Sequence, residues 1–184
     1  MLHVLVPLAQ GCEELEAVTI MDLLVRAGIK VTSAGLDDQP VTASRGTRII
    51  PDTTIDQVVD QSFDMIVLPG GMPGADHLRD DVRLQRLLKQ HAADNRFVAA
   101  ICAAPKALAA AGLLDNKTAT AYPGTLEALD NPSLTISSAD IEVDGKVITS
   151  RGPGTAMDFA LKLIELLVGK AKRDEVNAQL VRNS

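Results

Sequence analysis

Tryptophan is absent from this 184-residue chain, and the other aromatic side chains are Tyr122 and the phenylalanines Phe63, Phe97 and Phe159. So few rings remove the stacking platforms on which single-stranded nucleic acid is held, and they require an aliphatic core. A basic excess is missing too. The formal net charge is −6 and no Lys/Arg cluster gathers on one segment, which argues against direct nucleic-acid binding. Two cysteines, Cys12 and Cys102, are too few for a disulfide scaffold and lie outside metal-ligand spacing. A reducing, cytoplasmic setting and no metal are therefore expected. No apolar run reaches membrane-spanning length. The opening Met1-Leu2-His3-Val4-Leu5-Val6-Pro7 is short, lacks a basic flank and reads as a first strand rather than a signal peptide.

What is present is an ordinary globular composition, 46% hydrophobic and 23% charged, of a length that suits one domain over residues 1–184. Strand-like runs alternate with helical patterns, the mark of an α/β domain with a mostly parallel, doubly wound sheet sandwiched by helices. Strands are expected at Leu2 to Leu8, Ile29 to Ala34, Phe63 to Leu68, Phe97 to Ile101 and Lys117 to Ala121. A first helix from Glu13 is expected to turn Leu15, Val18, Met21, Leu24 and Val25 inward and to end at Gly28. Val41 to Ala43 and Arg48 to Ile50 read as a short antiparallel excursion, and Asp52 to Asp60 as a small helix. A helix over Asp80 to Asp94 would bury Val82, Leu84, Leu87 and Leu88. Ile141 to Val143 and Val147 to Thr149 form a hairpin across Asp144-Gly145, followed by a long helix from Arg151-Gly152-Pro153-Gly154 to Val168 and a last one over Asp174 to Val181.

The chemistry concentrates in three loops, all placed by this order at the carboxyl edge of the sheet, where open α/β sheets bind ligands. Cys102 stands where the buried run Phe97 to Ile101 gives way to the Ala-rich stretch Ala103-Ala104-Pro105-Lys106-Ala107-Leu108, a strand-to-helix elbow. Helix amides there would favour the thiolate; a lone cysteine reads more readily as a small buried hydrophobe, a preference that the elbow and the glycine loop that follows reverse. Leu68-Pro69-Gly70-Gly71-Met72-Pro73-Gly74 is a glycine loop able to aim consecutive N–H groups at an oxyanion. Gly70, Gly71 and Ala103 are the candidate ligand-binding residues. Gly11-Cys12-Glu13-Glu14-Leu15-Glu16 opens the first helix, where carboxylates complement the dipole. Glu16, one turn past Glu13, can reach over the sheet edge to Cys102, where burial would raise its pKa and suit it to general acid/base work.

These segments, with Arg26-Ala27-Gly28-Ile29-Lys30-Val31 and Thr149-Ser150-Arg151-Gly152-Pro153-Gly154-Thr155, resemble the ThiJ/PfpI superfamily and, within it, the YajL-like and parkinsonism-associated deglycase branch. The resemblance spans most of the chain. It implies a flavodoxin-like (Rossmann-like) fold, with Cys102 as a nucleophile that oxidises readily to sulfinate, Glu16 as the acid bonded to it, and Gly70 and Gly71 as the loop beside it. Several members carry a histidine in the segment matching Thr118 to Pro123, where this chain has Tyr122. A phenol with a pKa near 10 is no substitute for an imidazole base, which weighs against a Cys-His hydrolase and leaves Glu16 as proton carrier. His3, His77 and His91 read as strand or helix-surface residues.

Two functions follow as expectations. One is cofactor-free attack on α-oxoaldehydes such as methylglyoxal, or on early glycation adducts, by a glyoxalase- or deglycase-type route. The other is a redox-responsive stress protein or chaperone without turnover. The resemblance also implies a homodimer through the first helix and the segment around Arg45, with Arg26 or Arg45 near the partner's Gly11-Cys12-Glu13 loop.

Overall fold

The structure, a computed structural model, describes residues 1–182. In chain order the elements are β1 (His3–Leu8), α1 (Glu14–Arg26), β2 (Lys30–Gly35), β3 (Val41–Thr42), β4 (Arg48–Ile49), β5 (Thr53–Thr54), β6 (Met65–Leu68), α2 (Gly74–Asp80), α3 (Val82–Ala93), β7 (Phe97–Ile101), α4 (Pro105–Ala110), β8 (Thr118–Ala119), β9 (Thr135–Ile136), β10 (Ile141–Asp144), β11 (Val147–Ser150), α5 (Ala156–Val168) and α6 (Lys170–Gln179). Seven strands form one sheet in the order β10-β11-β7-β6-β1-β2-β5, parallel throughout except for β10. This is the doubly wound, flavodoxin-like arrangement expected from the alternation. Winding reverses between β1 and β6, and the three loops of interest leave the carboxyl ends of β1, β6 and β7.

Alternation along each strand divides the core in two. Val4, Val6, Met65, Val67, Ala99 and Ile101 face α1 and α5, where Phe159 and Ile164 are fully buried. Leu5, Ile66, Leu68, Val98 and Ala100 face α2, α3 and α4, with Leu84, Leu88 and Leu108. Gly28 takes φ 77° in a Schellman close, with its own N–H to Val25 O and the Ile29 N–H to Leu24 O. Only a residue tolerant of left-handed backbone serves there.

The inward face of α1 is not the expected one. Glu16, Ala17, Ile20, Leu23 and Leu24 are buried, whereas Leu15, Val18 and Val25 are 50%, 48% and 59% exposed. Apolar residues occur on all sides of this helix, and its rotation is set by a carboxyl going inside, which periodicity scores as an outward residue. Val82 is likewise 79% exposed: it is the first residue of α3, just after the cap Asp81, whose carboxylate accepts the N–H groups of Arg83 and Leu84. That cap also separates α2 from α3, where one helix starting at Asp80 was expected.

Asp52 to Asp60 is no regular helix. The Asp52 carboxylate accepts the N–H and hydroxyl of Ser33, both at 2.8 Å, and pins Thr53–Thr54 as an edge strand beside β2; a 3₁₀ turn over Ile55–Gln57 follows. Of Lys117 to Ala121 only Thr118–Ala119 is strand, and it pairs outside the main sheet with β9, whose exposed residues give no hydrophobic signal. Gly145 and Lys146 make the hairpin turn, because Asp144 pairs with Val147.

Candidate active site at the carboxyl edge of the sheet

Cys102 has φ 62°, a left-handed conformation rare for a residue with a side chain, and it occupies a turn between β7 and α4. Neighbouring strands hold it there. Its N–H donates to Ser150 O at 3.0 Å, and its carbonyl accepts the Tyr122 N–H at 2.8 Å. The Ser150 hydroxyl is itself fixed against Asp140 O and Thr155 Oγ1, so the Thr149-to-Thr155 segment serves the elbow as a brace. This bracing was not legible from a cysteine motif alone.

Glu16 is fully buried, reached from the first turn of α1. Its Oε2 accepts the Gly70 N–H at 2.7 Å, Oε1 has no hydrogen-bond partner, and the carboxyl stands beside the Cys102 side chain across Gly70. Gly70 lies against both: a Cβ there would stand 2.7 Å from Cys102 Cβ and 2.8 Å from Glu16 Oε2. Gly71, at φ 91°, presses on the Cys12–Glu13 backbone, and its N–H, with that of Ala103, is directed at Cys102. The structure therefore brings Cys102, Glu16, Gly70, Gly71 and Ala103 into one constellation.

Its electrostatics depend on the proton shared by the acid pair. Burial pushes Glu16 up to about 7, against the pull of the Gly70 N–H. The Cys102 thiol is pushed up to about 12, first by burial and then by the Glu16 charge, with the Gly71 and Ala103 N–H groups opposing. This reverses the expectation of a depressed thiol pKa. The helix after the elbow has only six residues, begins three positions beyond Cys102, and supplies less than burial and a facing carboxylate remove. Once Glu16 is protonated its charge no longer opposes the thiolate, and its O–H becomes a donor to sulfur.

Cys12 is fully buried, its thiol raised to about 11 chiefly by burial. Neither Arg26 nor Arg45 joins the constellation within one chain: Arg26 pairs with Asp22, and Arg45 contributes its backbone N–H to Glu14. The ring of Tyr122, 53% exposed, would meet a side chain at Gly152 at 3.5 Å, so it stands beside the elbow rather than inside it. His91, expected on a helix surface, is buried. Among the described residues no group of three or more His, Cys, Asp or Glu side chains is placed to hold a metal, and no helix is long and apolar enough to cross a membrane.

The sequence profile of the DJ-1/PfpI family matches residues 2–166. Protein DJ-1 homolog A of Arabidopsis thaliana is 43% identical over 180 residues, 97% of this chain; the chain spans 46% of that relative's length. A Caenorhabditis elegans protein named glutathione-independent glyoxalase DJR-1.2 is 34% identical over 167 residues, 91% of this chain and 89% of its own. The solved structure of Toxoplasma gondii DJ-1 in an oxidised state superposes with a TM-score of 0.94 at 40% identity, covering 100% of both chains.

Proposed function

Because the chain belongs to the DJ-1/PfpI family, in its DJ-1-like branch, we propose that it converts α-oxoaldehydes to hydroxy acids without a cofactor, with Cys102 as nucleophile and Glu16 as proton carrier. The observation that carries this reading is the buried Glu16 carboxyl, anchored on the Gly70 N–H at 2.7 Å beside the Cys102 side chain. A carboxyl raised to about 7 is a base matched to neutral pH. The glyoxalase named in the nematode relative is the same class of reaction.

For methylglyoxal the steps balance as follows. The Cys102 sulfur bonds to the aldehyde carbon as its proton passes to the Glu16 carboxylate; the oxyanion this leaves, held by the Gly71 and Ala103 N–H groups, takes that proton back and becomes the hemithioacetal hydroxyl. The Glu16 carboxylate so freed removes the proton on that carbon and delivers it to the neighbouring carbon, while the hydroxyl proton moves to the former ketone oxygen, giving a thioester of a hydroxy acid. Water then cleaves the thioester to lactate and regenerates the thiol. Attack on early glycation adducts of side chains would use the same first step. Tyr122 stands aside from these transfers. Lactate formed from methylglyoxal without glutathione, and lost at least 100-fold in Cys102→Ser, is the expected result; undiminished turnover in that variant overturns the reading.

A second reading has its own observation: N–H groups directed at the Cys102 sulfur could hold sulfinate oxygens, and a T. gondii homologue is known in an oxidised state. In it, oxidation of Cys102 alters partner affinity without turnover. Loss of turnover in Cys102→Ser with client protection intact would favour the enzyme.

The proposal includes a cytoplasmic setting and a C₂ homodimer. Leu15, Val18 and Val25 leave an apolar face of α1 unpartnered, and Ile50, beyond β4, is 81% exposed. Pairing through this face would bring Arg26 or Arg45 toward the partner's Gly11-Cys12-Glu13 loop. Sedimentation at micromolar concentration should give a dimer that Val18→Glu converts to monomer. A wild-type monomer with full activity would exclude any role for the partner at the site.

A further inference from the structure

Cys102 is 8% exposed, so a substrate reaches it through a narrow opening, and the sheet order dictates what borders that opening. β7, which ends at Ile101, lies between β6 and β11 and runs parallel to both. The loop after β6 therefore stands on one side of Cys102 and the segment after β11 on the other. Each side carries one large, half-exposed apolar side chain. Met72, 51% exposed, follows Gly71 on the first side, with its sulfur 3.6 Å from the ammonium of Lys106 in the first turn of α4. Tyr122, 53% exposed, belongs to the second: its N–H donates to the Cys102 carbonyl at 2.8 Å, and its ring lies over Gly152, where an added Cβ would stand 3.5 Å from Cδ2.

Two strand spacings, about 10 Å, separate the two sides. Contact at about 3.5–4 Å on each wall leaves room for one planar group between them. The charged groups carried by the surrounding segments are engaged elsewhere. Lys106 is paired with Asp76 at 3.0 Å, the Arg151 guanidinium donates to Ser138 O at 2.8 Å, and the Glu13 carboxylate accepts the Ser44 hydroxyl at 2.9 Å. The walls thus offer an incoming group a thioether and a ring rather than a charge.

We propose that Met72 and Tyr122 are specificity-determining residues that hold the substituent of the dicarbonyl between them, making arylglyoxals, with a ring on the ketone carbon, better substrates than methylglyoxal. This rests on the reading of Cys102 as the nucleophile that attacks the aldehyde, and it names the substrate class of that same site. Ring–ring and sulfur–ring contacts each change affinity several-fold. Phenylglyoxal would follow the steps written for methylglyoxal, with phenyl in place of methyl, and leave as mandelate.

The test compares kcat/KM for mandelate formation from phenylglyoxal with that for lactate formation from methylglyoxal, without glutathione, in wild type, Met72→Ala, Tyr122→Ala and Tyr122→Phe. Both aldehydes meet the same thiol in every variant, so their intrinsic reactivities cancel when the ratio is compared between variants. The ratio is expected to be about 10 in wild type, to fall about fivefold in each alanine variant through the KM for phenylglyoxal, and to stay within about twofold of wild type in Tyr122→Phe. A second readout needs no turnover: alkylation of Cys102 by phenacyl bromide against bromoacetone, followed by peptide mass, should rank the four proteins in the same order. An aryl preference in alkylation that the alanine variants lose, without turnover of either aldehyde, would support the two walls and count against the oxoaldehyde reading alone. A wild-type preference for methylglyoxal, ratios that the alanine variants leave unchanged in both assays, or a ratio that Tyr122→Phe lowers as far as Tyr122→Ala would overturn the proposal.

Discussion

Glu16→Gln is expected to raise folding stability at pH 8 by about 3 kcal/mol relative to its effect at pH 4, while cutting methylglyoxal turnover at least 100-fold. The Glu16 pKa rises from 4.5 unfolded to about 7 folded. Between those values the folded protein keeps a proton that the unfolded chain releases. The stability tied to that proton is complete below pH 4.5 and is lost as pH climbs to 7. Glutamine keeps the acceptor for the Gly70 N–H and never ionises, so the loss disappears. His91 runs the other way: burial lowers its pKa from 6.5 to about 4, so its contribution is present above pH 6.5 and lost as pH falls. The two trends oppose each other in the wild type. Denaturant unfolding of Glu16→Gln across pH 4 to 8 should uncover the limb of His91, joined by His3, which burial also lowers, a stability that rises with pH; a curve parallel to wild type would mean that Glu16 titrates no higher in the fold than in the unfolded chain.

Gly70→Ala should cost about 1–3 kcal/mol or more and reduce turnover by about two orders of magnitude. The added Cβ would stand 2.7 Å from Cys102 Cβ and 2.8 Å from both Glu16 Oε2 and Ile101 O. Ile101 O is backbone of a central strand and cannot yield, so the loop must retreat and the Gly70 N–H to Glu16 bond must lengthen. Gly154→Ala is the control: no atom lies within 4 Å of its added Cβ, and its φ is outside the left-handed region. Urea midpoints and lactate assays on the two variants measure the contrast. A fully active Gly70→Ala enzyme would remove the loop from the site.

Much of the architecture was legible because buried parallel strands such as His3–Leu8 and Phe97–Ile101 are short apolar runs flanked by helical periods. The constellation was legible for a related reason: loops after β1, β6 and β7 must meet at the carboxyl edge whatever lies between them. Three things were hidden. The burial of Glu16 was anticipated, but not that it fixes the rotation of α1 and leaves Leu15, Val18 and Val25 on the surface. Thr53–Thr54 and Thr135–Ile136 are two-residue strands held by partners distant in sequence, with no period of their own. The sign of the Cys102 shift depended on how deeply an elbow residue is buried and on which group faces it, and sequence gives neither.

The central claim is that the Glu16 carboxylate, poised near neutrality by burial, takes the Cys102 proton as sulfur attacks the carbonyl. The most direct test is the pH dependence of kcat/KM for lactate formation from methylglyoxal, without glutathione, in wild type and Glu16→Gln. The account predicts a limb that rises with an apparent pKa of about 7 and is absent from the residual activity of the variant. A wild-type profile flat from pH 5 to 9, or the same limb at the same height in Glu16→Gln, would contradict it.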